Sequence, residues 1–153
     1  MSAEPIATPP GGVRGGALGT ELSFLLARAN ALSLAAGNAA MAASGLRARS
    51  YSILSLAVDG SRPSQRDLAD FLRLDPSQIV ALVDDLQARG LVVRETDPAD
   101  RRANVVVATS VGRDVYERAH TQARAAEEKV FGSLTADERE RMTELLRLVA
   151  FPG

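Results

Sequence analysis

Residues 64–113 decide the fold, and they read SQRDLADFLRLDPSQIVALVDDLQARGLVVRETDPADRRANVVVATSVGR. Ser64 has the side chain of a good helix N-cap, and apolar residues follow it at helical spacing. Asp75 offers a second N-cap, with a proline at the first helical position and Gln78 placed to close a capping box. Gly90 is typical of the residue that ends a helix. The stretch therefore predicts two helices joined by a tight turn, a helix-turn-helix.

The spacing of apolar residues changes after the second of these helices. Residues 91–96 (LVVRET) and 104–108 (NVVVA) predict two short strands. The polar segment DPADRR at 97–102 predicts the turn between them, with Arg101 and Arg102 near its tip. A β-hairpin with a charged tip directly after a helix-turn-helix predicts a fold that is mainly α with a small β-hairpin.

Long amphipathic helices are predicted on both sides of this segment. The first has an a/d seam that holds over three heptads, formed by Leu18, Leu22, Leu25, Ala29, Leu32, Ala36 and Ala39. Another helix is predicted at about residues 46–58, one at about 109–131, and one after a capping box of Thr135 with Glu138. The long seam exceeds what one small domain needs for its own core, so it favours packing against other long helices, such as those of a second chain.

The first 17 residues differ in composition from the rest of the chain. Residues 1–17 are rich in proline and glycine, with Pro5, Pro9, Pro10, Gly11, Gly12, Gly15 and Gly16. Such a segment buries too little apolar surface to offset its ordering entropy, so we expect a flexible arm. The alternative is an arm that touches DNA through Arg14.

The composition of the 153-residue chain excludes several classes of protein. Apolar residues make up 46% and charged residues 24%, the ordinary balance of a globular domain. No apolar run reaches the ~20 residues of a membrane helix, so no membrane partner is expected. The chain has no cysteine and one histidine, so we expect no disulfide, no metal and no cofactor, and a cytoplasmic address fits. We expect no enzyme, because neither a nucleophile–base pair nor a phosphate-binding glycine motif is present.

Residues 64–113 resemble the MarR family of bacterial transcriptional regulators. The strongest similarity lies in RETDPADRRANV at residues 94–105, which resembles the wing of that family with its strand arginine, Asp-Pro turn and Asp-Arg-Arg. The segment TSVGR at residues 109–113 resembles the start of the family's long fifth helix. The order of helices extends the resemblance over about residues 18–150.

The resemblance implies a winged helix-turn-helix at about 46–108 between dimerisation helices at about 18–42 and 109–150, in a single domain 18–153. It also implies a sequence-specific regulator that binds a pseudo-palindromic operator on double-stranded DNA. The leading interpretation is a homodimeric repressor of nearby genes that a small-molecule ligand relieves. The alternative is a winged helix for protein–protein contact with weak or no DNA binding, because residues 59–108 carry seven basic and nine acidic side chains, a net charge of −2.

The second helix of the pair has the length to enter the major groove, and its N-terminal residues would reach the base edges. Those residues are Ser77 and Gln78, with the small Ala81 next on the same face. The alternative is that Ser77 and Gln78 only cap the helix. Arg101 and Arg102 are predicted to enter a minor groove, whereas without the helix-turn-helix they would be an ordinary charged turn.

Phosphate contacts are predicted at the first helix of the pair. Ser64 and the first backbone N–H groups can hold a phosphate, and Arg66 lies on the same turn. Asp100, beside the wing arginines, is predicted to pair with an arginine and fix the shape of the wing. Asp85 either weakens non-specific affinity or pairs with Arg89 four residues on.

The resemblance further implies an effector pocket where the dimerising helices meet the winged domain. Residues that would line it are Asn30, Ser33, Arg49, Tyr51, Tyr116 and His120. Each has an ordinary alternative, because a lone tyrosine on an amphipathic helix is usually core with a wet hydroxyl and a lone histidine usually lies at a surface or interface. Without cysteine, ligand binding rather than thiol oxidation is the expected switch.

Overall fold

The computed structural model describes residues 15–153, and the chain divides into two compact units between residues 32 and 33. Most of the predicted arm, including Arg14, lies outside the described residues. In the first unit a 3₁₀ turn at Gly16–Thr20 precedes the first long helix, which begins at Leu22. The leucines of this unit are exposed, namely Leu18, Leu22, Leu25, Leu26 and Leu32.

In the described part of the chain, six α-helices and two strands follow the 3₁₀ turn, and a second short 3₁₀ segment, Ala42–Ser44, follows the first α-helix. They are α1 (Leu22–Met41), α2 (Ala48–Val58), α3 (Gln65–Leu72), α4 (Pro76–Ala88), β1 (Val92–Thr96), β2 (Asn104–Ala108), α5 (Ser110–Val130) and α6 (Ala136–Ala150). The fold is therefore mainly α with one two-stranded antiparallel hairpin, as predicted. Within residues 15–153, no helix is both long enough and apolar enough to cross a membrane.

Side-chain caps start three of these helices where the sequence predicts them. Ser64 and Thr135 form reciprocal capping boxes with Asp67 and Glu138. The Thr109 hydroxyl accepts a backbone N–H from the first turn of α5. Each cap satisfies a backbone N–H that the first turn of a helix leaves without an intrahelical partner.

The start of α4 differs from the prediction in one respect. Asp75 is the N-cap and Pro76 the first helical residue, as expected, but the Asp75 carboxylate accepts both the backbone N–H and the hydroxyl of Ser77. The predicted capping box with Gln78 is wrong, because the Gln78 backbone N–H donates to the Asp75 carbonyl oxygen at 3.0 Å while the Asp75 carboxylate bonds Ser77. At the other end of α4, Gly90 has a φ of +70°, the left-handed conformation that commonly ends a helix.

The hairpin has a third backbone partner that local sequence pattern does not reveal. Ser64 forms an isolated antiparallel bridge with Val105 of β2. Next to it, the backbone N–H of Val106 donates to the carbonyl oxygen of Pro63 at 2.8 Å. The residues that lead into α3 thus lie along β2, and backbone hydrogen bonds fasten the hairpin to the helix-turn-helix.

One apolar core joins α2, α3, α4, the hairpin and α5. Its fully buried side chains are Leu46, Ile53, Leu54, Leu68, Ile79, Val83, Leu86, Val92 and Val106. From α5, Val115 and Ala119 pack into the same core. Burial contributes roughly 25 cal/mol per Å² of apolar surface, so this shared core is what holds α4 in place.

The C-terminal helix contributes little to that core. No residue of α6 is buried. Its exposed apolar side chains are Leu145, Leu146, Leu148 and Val149. Beyond the end of α6, the ring of Phe151 contacts Phe71 of α3, with ring centroids 5.6 Å apart. An amphipathic helix with an exposed apolar face favours a further packing partner.

Candidate nucleic-acid interface

α4 turns one face to the core and the other to solvent. Its buried residues are Ile79, Val83 and Leu86. The residues predicted to read bases, Ser77, Gln78 and Ala81, are all exposed. The Ser77 hydroxyl donates to Asp75, so Ser77 supports the cap of α4. The Gln78 side chain makes no hydrogen bond to another group of residues 15–153, so its amide has no partner among them.

Ser64 and Arg66 lie at the start of α3, as predicted, but their side chains are in different states. The Ser64 hydroxyl donates to the Asp67 carboxylate at 2.7 Å, and hydrogen bonds from Ser64 hold the pKa of the Asp67 carboxyl below its ordinary value. The negative charge of Asp67 therefore already occupies the first turn of α3. The Arg66 side chain is 91% exposed and 3.9 Å from the Asp70 carboxylate. Arg66 is better placed than Ser64 to contact a phosphate.

Two aspartates shape the tip of the hairpin. The carboxylates of Asp97 and Asp100 accept the backbone N–H groups of Ala99 and Arg102, each at 2.9 Å. The prediction that Asp100 pairs with an arginine side chain is wrong, because an aspartate in a tight turn bonds the backbone N–H two residues on. Arg101 and Arg102 are exposed. Their guanidinium groups form no ion pair within the part of the chain that the structure describes.

Arg94, which the sequence marks only as the strand arginine of the wing, is a centre of contacts. Its guanidinium donates to side-chain oxygens of Gln65 (2.8 Å), Gln87 (3.1 Å) and Asp84 (2.5 Å). The alternation of β1 is the signal that could have found it, because Arg94 lies on the same face of the strand as the buried Val92. A charged group on an inward face needs polar partners.

Asp85 also has an internal partner. Its carboxylate lies 3.5 Å from the guanidinium of Arg89, which in turn donates to the carbonyl oxygen of Gly45 at 2.9 Å. Of the two alternatives for Asp85, the structure favours internal pairing. Because Asp84 pairs with Arg94, both carboxylates of α4 have an arginine partner.

α5 begins in close contact with the turn that follows α4. The Thr109 backbone N–H donates to the carbonyl oxygen of Leu91 at 3.0 Å, and the Thr109 hydroxyl donates to that of Gly90 at 2.6 Å. A Cβ built on Gly112 would lie 1.9 Å from the carbonyl oxygen of Leu91. Only glycine fits at this position unless the backbone moves, so any displacement of the start of α5 acts directly on the end of α4 and the start of β1.

Half of the residues predicted to line an effector pocket form one stacked cluster between α2 and α5. The ring centroids of Tyr51 and Tyr116 are 5.7 Å apart, and those of Tyr116 and His120 are 5.4 Å apart. The Tyr51 hydroxyl lies 2.8 Å from His120 Nδ1. Burial, together with the nearby Tyr116, raises the pKa of Tyr51 to about 12, so the hydroxyl keeps its proton. Both tyrosines also pack against the apolar core, as their ordinary alternative expects.

The remaining predicted pocket residues lie on α1 and α2. Arg49 of α2 is exposed, Asn30 of α1 is exposed, and Ser33 of α1 is half-buried. A groove that the sequence does not reveal has a volume of about 410 Å³ and is lined by Ala36, Ala40, Gln122, Ala125, Ala126 and Lys129. The structure thus unites Tyr51, Tyr116 and His120, and it adds a groove formed by the second half of α1 and by α5.

Three solved structures are similar to this chain over most of its length. A MarR-family transcriptional regulator from Rhodococcus sp. RHA1 is 41% identical, with a TM-score of 0.85, over 90% of this chain and 98% of that protein. CouR from Rhodococcus jostii RHA1, bound to p-coumaroyl-CoA, is 42% identical, with a TM-score of 0.83, over 90% and 97%. A structure of the transcriptional repressor CouR bound to a 23-mer DNA duplex is 27% identical, with a TM-score of 0.82, over 90% and 98%.

The sequence model of the MarR family matches residues 44–103, from the turn before α2 to the wing. Curated relatives match over a shorter length, since the chain spans between 56% and 62% of three proteins named as transcriptional regulators. The Rhodococcus sp. RHA1 regulator, in contrast, is 41% identical in sequence and similar in fold over 98% of its length. The winged helix-turn-helix and the flanking helices of this chain agree with those of this relative. The chain therefore belongs to the MarR family of transcriptional regulators.

Proposed function

We propose that this chain is a homodimeric, sequence-specific DNA-binding repressor of nearby genes, and that a small-molecule ligand relieves its binding. One observation carries the proposal: the unbonded amide of Gln78 and the exposed Arg101 and Arg102 belong to one winged helix-turn-helix with a common core. The structure of CouR on a DNA duplex supports the same activity for this chain. A cytoplasmic location belongs to the proposal, since such a regulator acts where the chromosome lies.

The proposed DNA contacts divide into base reading and positioning. Gln78 can form a bidentate pair with adenine, and the small side chain of Ala81 allows close approach to the base edges. Arg101 and Arg102 enter a minor groove, whose narrow form attracts arginine. Arg66 contacts a phosphate, with Ser64 and Ser77 beside the backbone as secondary partners.

The proposed dimer has a two-fold axis and uses the long helices. α1 exposes Leu25 and Leu32, and α6 exposes Leu145 and Leu148, although none of these is needed for the core of the winged domain. Exposed apolar stripes of this kind mark protein–protein interfaces. Two copies related by a two-fold axis bind a pseudo-palindrome whose half-site centres lie about 34–36 Å apart.

The proposed effector is an aromatic acid or its thioester. Tyr51 and Tyr116 offer aromatic faces, and the exposed Arg49 offers a charge-assisted hydrogen bond to a carboxylate or phosphate, with Asn30, Ser33 and His120 as further polar partners. CouR, bound to p-coumaroyl-CoA, supports this chemistry. A ligand that shifts α5 would act on α4 through the contact of Gly112 with the turn after α4.

The energy that such a switch requires is modest. To weaken operator binding about 100-fold, the ligand must bind the DNA-incompetent state about 100-fold better, or about 2.7 kcal/mol. One or two charge-assisted hydrogen bonds supply a difference of this size. Against the protein–protein alternative, the two acidic residues of α4, Asp84 and Asp85, lie in ion pairs with Arg94 and Arg89, although the net charge of residues 59–108 stays at −2.

A mobility shift with DNA from both sides of the protein's own gene tests the proposal. We expect a retarded band that survives an excess of random competitor DNA, and an affinity that falls steeply with salt. Sedimentation at micromolar concentration should show a dimer. A monomer, or binding that random DNA removes completely, would contradict the proposal and favour the protein–protein alternative.

A further inference from the structure

The Arg94 side chain stands at the junction of three elements of the winged domain. On β1 it lies opposite Val106, a fully buried residue of β2. Its aliphatic part therefore starts beside the core, while the guanidinium reaches the rim, and the side chain as a whole is 23% exposed. An arginine can bury its stem along apolar surface in this way while its charged end remains near water.

Each nitrogen of the guanidinium already donates to a protein oxygen. Nε donates to Gln65, the first residue of α3, at 2.8 Å. The two terminal nitrogens donate to Asp84 and Gln87, which are three residues apart on α4 and lie at 2.5 and 3.1 Å. One side chain of the hairpin thus holds both helices of the helix-turn-helix.

The ion pair with Arg94 also compensates a negative charge on the solvent-facing side of α4. Asp84 is 60% exposed and lies one and two turns after the residues proposed to read bases. An isolated carboxylate at this place would repel phosphates. Arg94 compensates that charge from the protein side, so α4 can approach DNA without a repelling group of its own.

We propose that Arg94 is a positioning residue that sets the placement of α4 relative to the wing, so that the major-groove and minor-groove contacts meet DNA together. The inference rests on the proposed DNA-binding function and adds a residue to it. Three of the five N–H donors of its guanidinium are engaged within the protein, and Arg94 acts through Asp84, Gln87 and Gln65 instead of binding DNA itself.

The substitution Arg94→Lys separates charge from geometry. Lysine keeps the positive charge, but its ammonium is a single point and lacks the planar set of donors that reaches three acceptors at fixed angles. We expect affinity for operator DNA to fall by about tenfold or more, because specific binding needs both groove contacts at once. Affinity for random DNA, which depends on phosphates alone, should change by less than about threefold.

Salt dependence distinguishes positioning from direct contact. If Arg94 acts through α4, the slope of log affinity against log salt stays the same in Arg94→Lys and in Arg94→Met. Loss of a phosphate contact in Arg94→Met would reduce that slope by about 0.9 for each half-site. A reduced slope, or an equal loss on operator and random DNA, would overturn the proposal.

Arg62→Lys is the matched control. Arg62 also meets β1, through a single 2.8 Å bond to Glu95, and a lysine can keep a single bond. We expect its operator affinity to remain within about twofold of the wild type. A double-mutant cycle with Asp84→Asn should be non-additive, since both changes break the same contact. Additive losses would show that Arg94 does not act through Asp84.

Hydrogen exchange makes the test independent of DNA. In Arg94→Lys, backbone amides at the solvent side of α4 and in β1 should exchange faster than in the wild type, whereas those of α6 should not change. Unchanged exchange in α4 and β1 would overturn the positioning role. If the wild-type protein bound no operator at all, the proposed function would fail, and the exchange experiment would still decide the role of Arg94.

Discussion

Gly112→Ala is the substitution for which the structure makes the most specific prediction. Two effects of opposite sign compete at this position. Alanine favours the helix over glycine by up to about 1 kcal/mol, so helix propensity alone predicts a more stable protein. The added Cβ, however, would lie 1.9 Å from the carbonyl oxygen of Leu91 and 2.9 Å from its carbonyl carbon.

The steric effect decides the outcome. Real Cβ atoms essentially never come closer than 3.0 Å to a heavy atom outside their own residue and its chain neighbours, so the start of α5 must move away from Leu91. That movement stretches the 3.0 Å bond from the Thr109 backbone N–H to Leu91, which is worth about 1 kcal/mol. Overpacking costs a further 1–3 kcal/mol or so. After the propensity gain is subtracted, we expect a net loss of about 1–3 kcal/mol in the free energy of unfolding.

Thermal unfolding measures this loss. For a chain of this size about 1 kcal/mol shifts Tm by roughly 2–4 °C, so Tm should fall by roughly 2–12 °C. Gly37→Ala is the matched control, because a Cβ there would meet only the end of the Met41 side chain at 3.8 Å. That variant should be unchanged or more stable by up to about 1 kcal/mol. A Gly112→Ala protein as stable as the Gly37→Ala protein would refute the reasoning.

The wing, the recognition helix α4 and the cap of α3 give three further tests. Arg102→Ala should weaken operator binding in an anisotropy titration by about tenfold, and Arg101→Ala somewhat less, because the wing loses a minor-groove contact; unchanged affinity in both would exclude that contact. Gln78→Ala should cost about 1–3 kcal/mol of operator binding and relax base preference at one position per half-site, whereas reduced stability with unchanged preference would limit Gln78 to a helix role. In Asp67, hydrogen bonds from Ser64 hold the pKa below its ordinary 3.8, so its stabilising contribution is complete above the unfolded pKa and is lost as the pH falls through the folded pKa. Asp67→Asn should therefore lower Tm at neutral pH and lose less on acidification below about pH 4 than the wild type, and parallel Tm curves would contradict this.

Much of the fold can be predicted because its determinants are local. The N-caps Ser64, Asp75 and Thr109 each accept a hydrogen bond from a backbone N–H two or three residues away, so both partners lie within one short stretch of sequence. The change from helical to alternating spacing after Gly90 likewise depends on neighbouring residues only. Where two local bonds compete, prediction fails. At the start of α4 the Asp75 carboxylate accepts hydrogen bonds from Ser77 instead of Gln78.

The contacts that organise the site join residues that are far apart in the chain, and local sequence pattern does not predict them. Arg94 and Gln65 are 29 positions apart, and nothing in the local pattern of either names the other. The 1.9 Å approach of Gly112 to Leu91 is equally invisible, although a glycine in the first turn of a helix hints at crowding. Sequence pattern locates the elements of this family, whereas the packing between them decides which side chains remain free to bind.

The negative charge of the winged segment is less opposed to DNA binding than its sum suggests. Every acidic side chain of residues 59–108 has a hydrogen-bond or ion-pair partner in the structure: Asp59, Asp67, Asp70, Asp75, Asp84, Asp85, Glu95, Asp97 and Asp100. Four of these carboxylates, Asp70, Asp84, Asp85 and Glu95, lie in ion pairs with arginines, so their charge is compensated at short range. The other five accept hydrogen bonds from neutral N–H or hydroxyl groups and keep their negative charge. Arg101 and Arg102, in contrast, have no carboxylate partner within the described residues and stand at the tip of the wing. Long-range attraction to DNA is therefore weak. Affinity must come from short-range contacts that form only when α4 and the wing both bind their grooves. Under this condition a few arginines give sequence specificity instead of non-specific binding to phosphates.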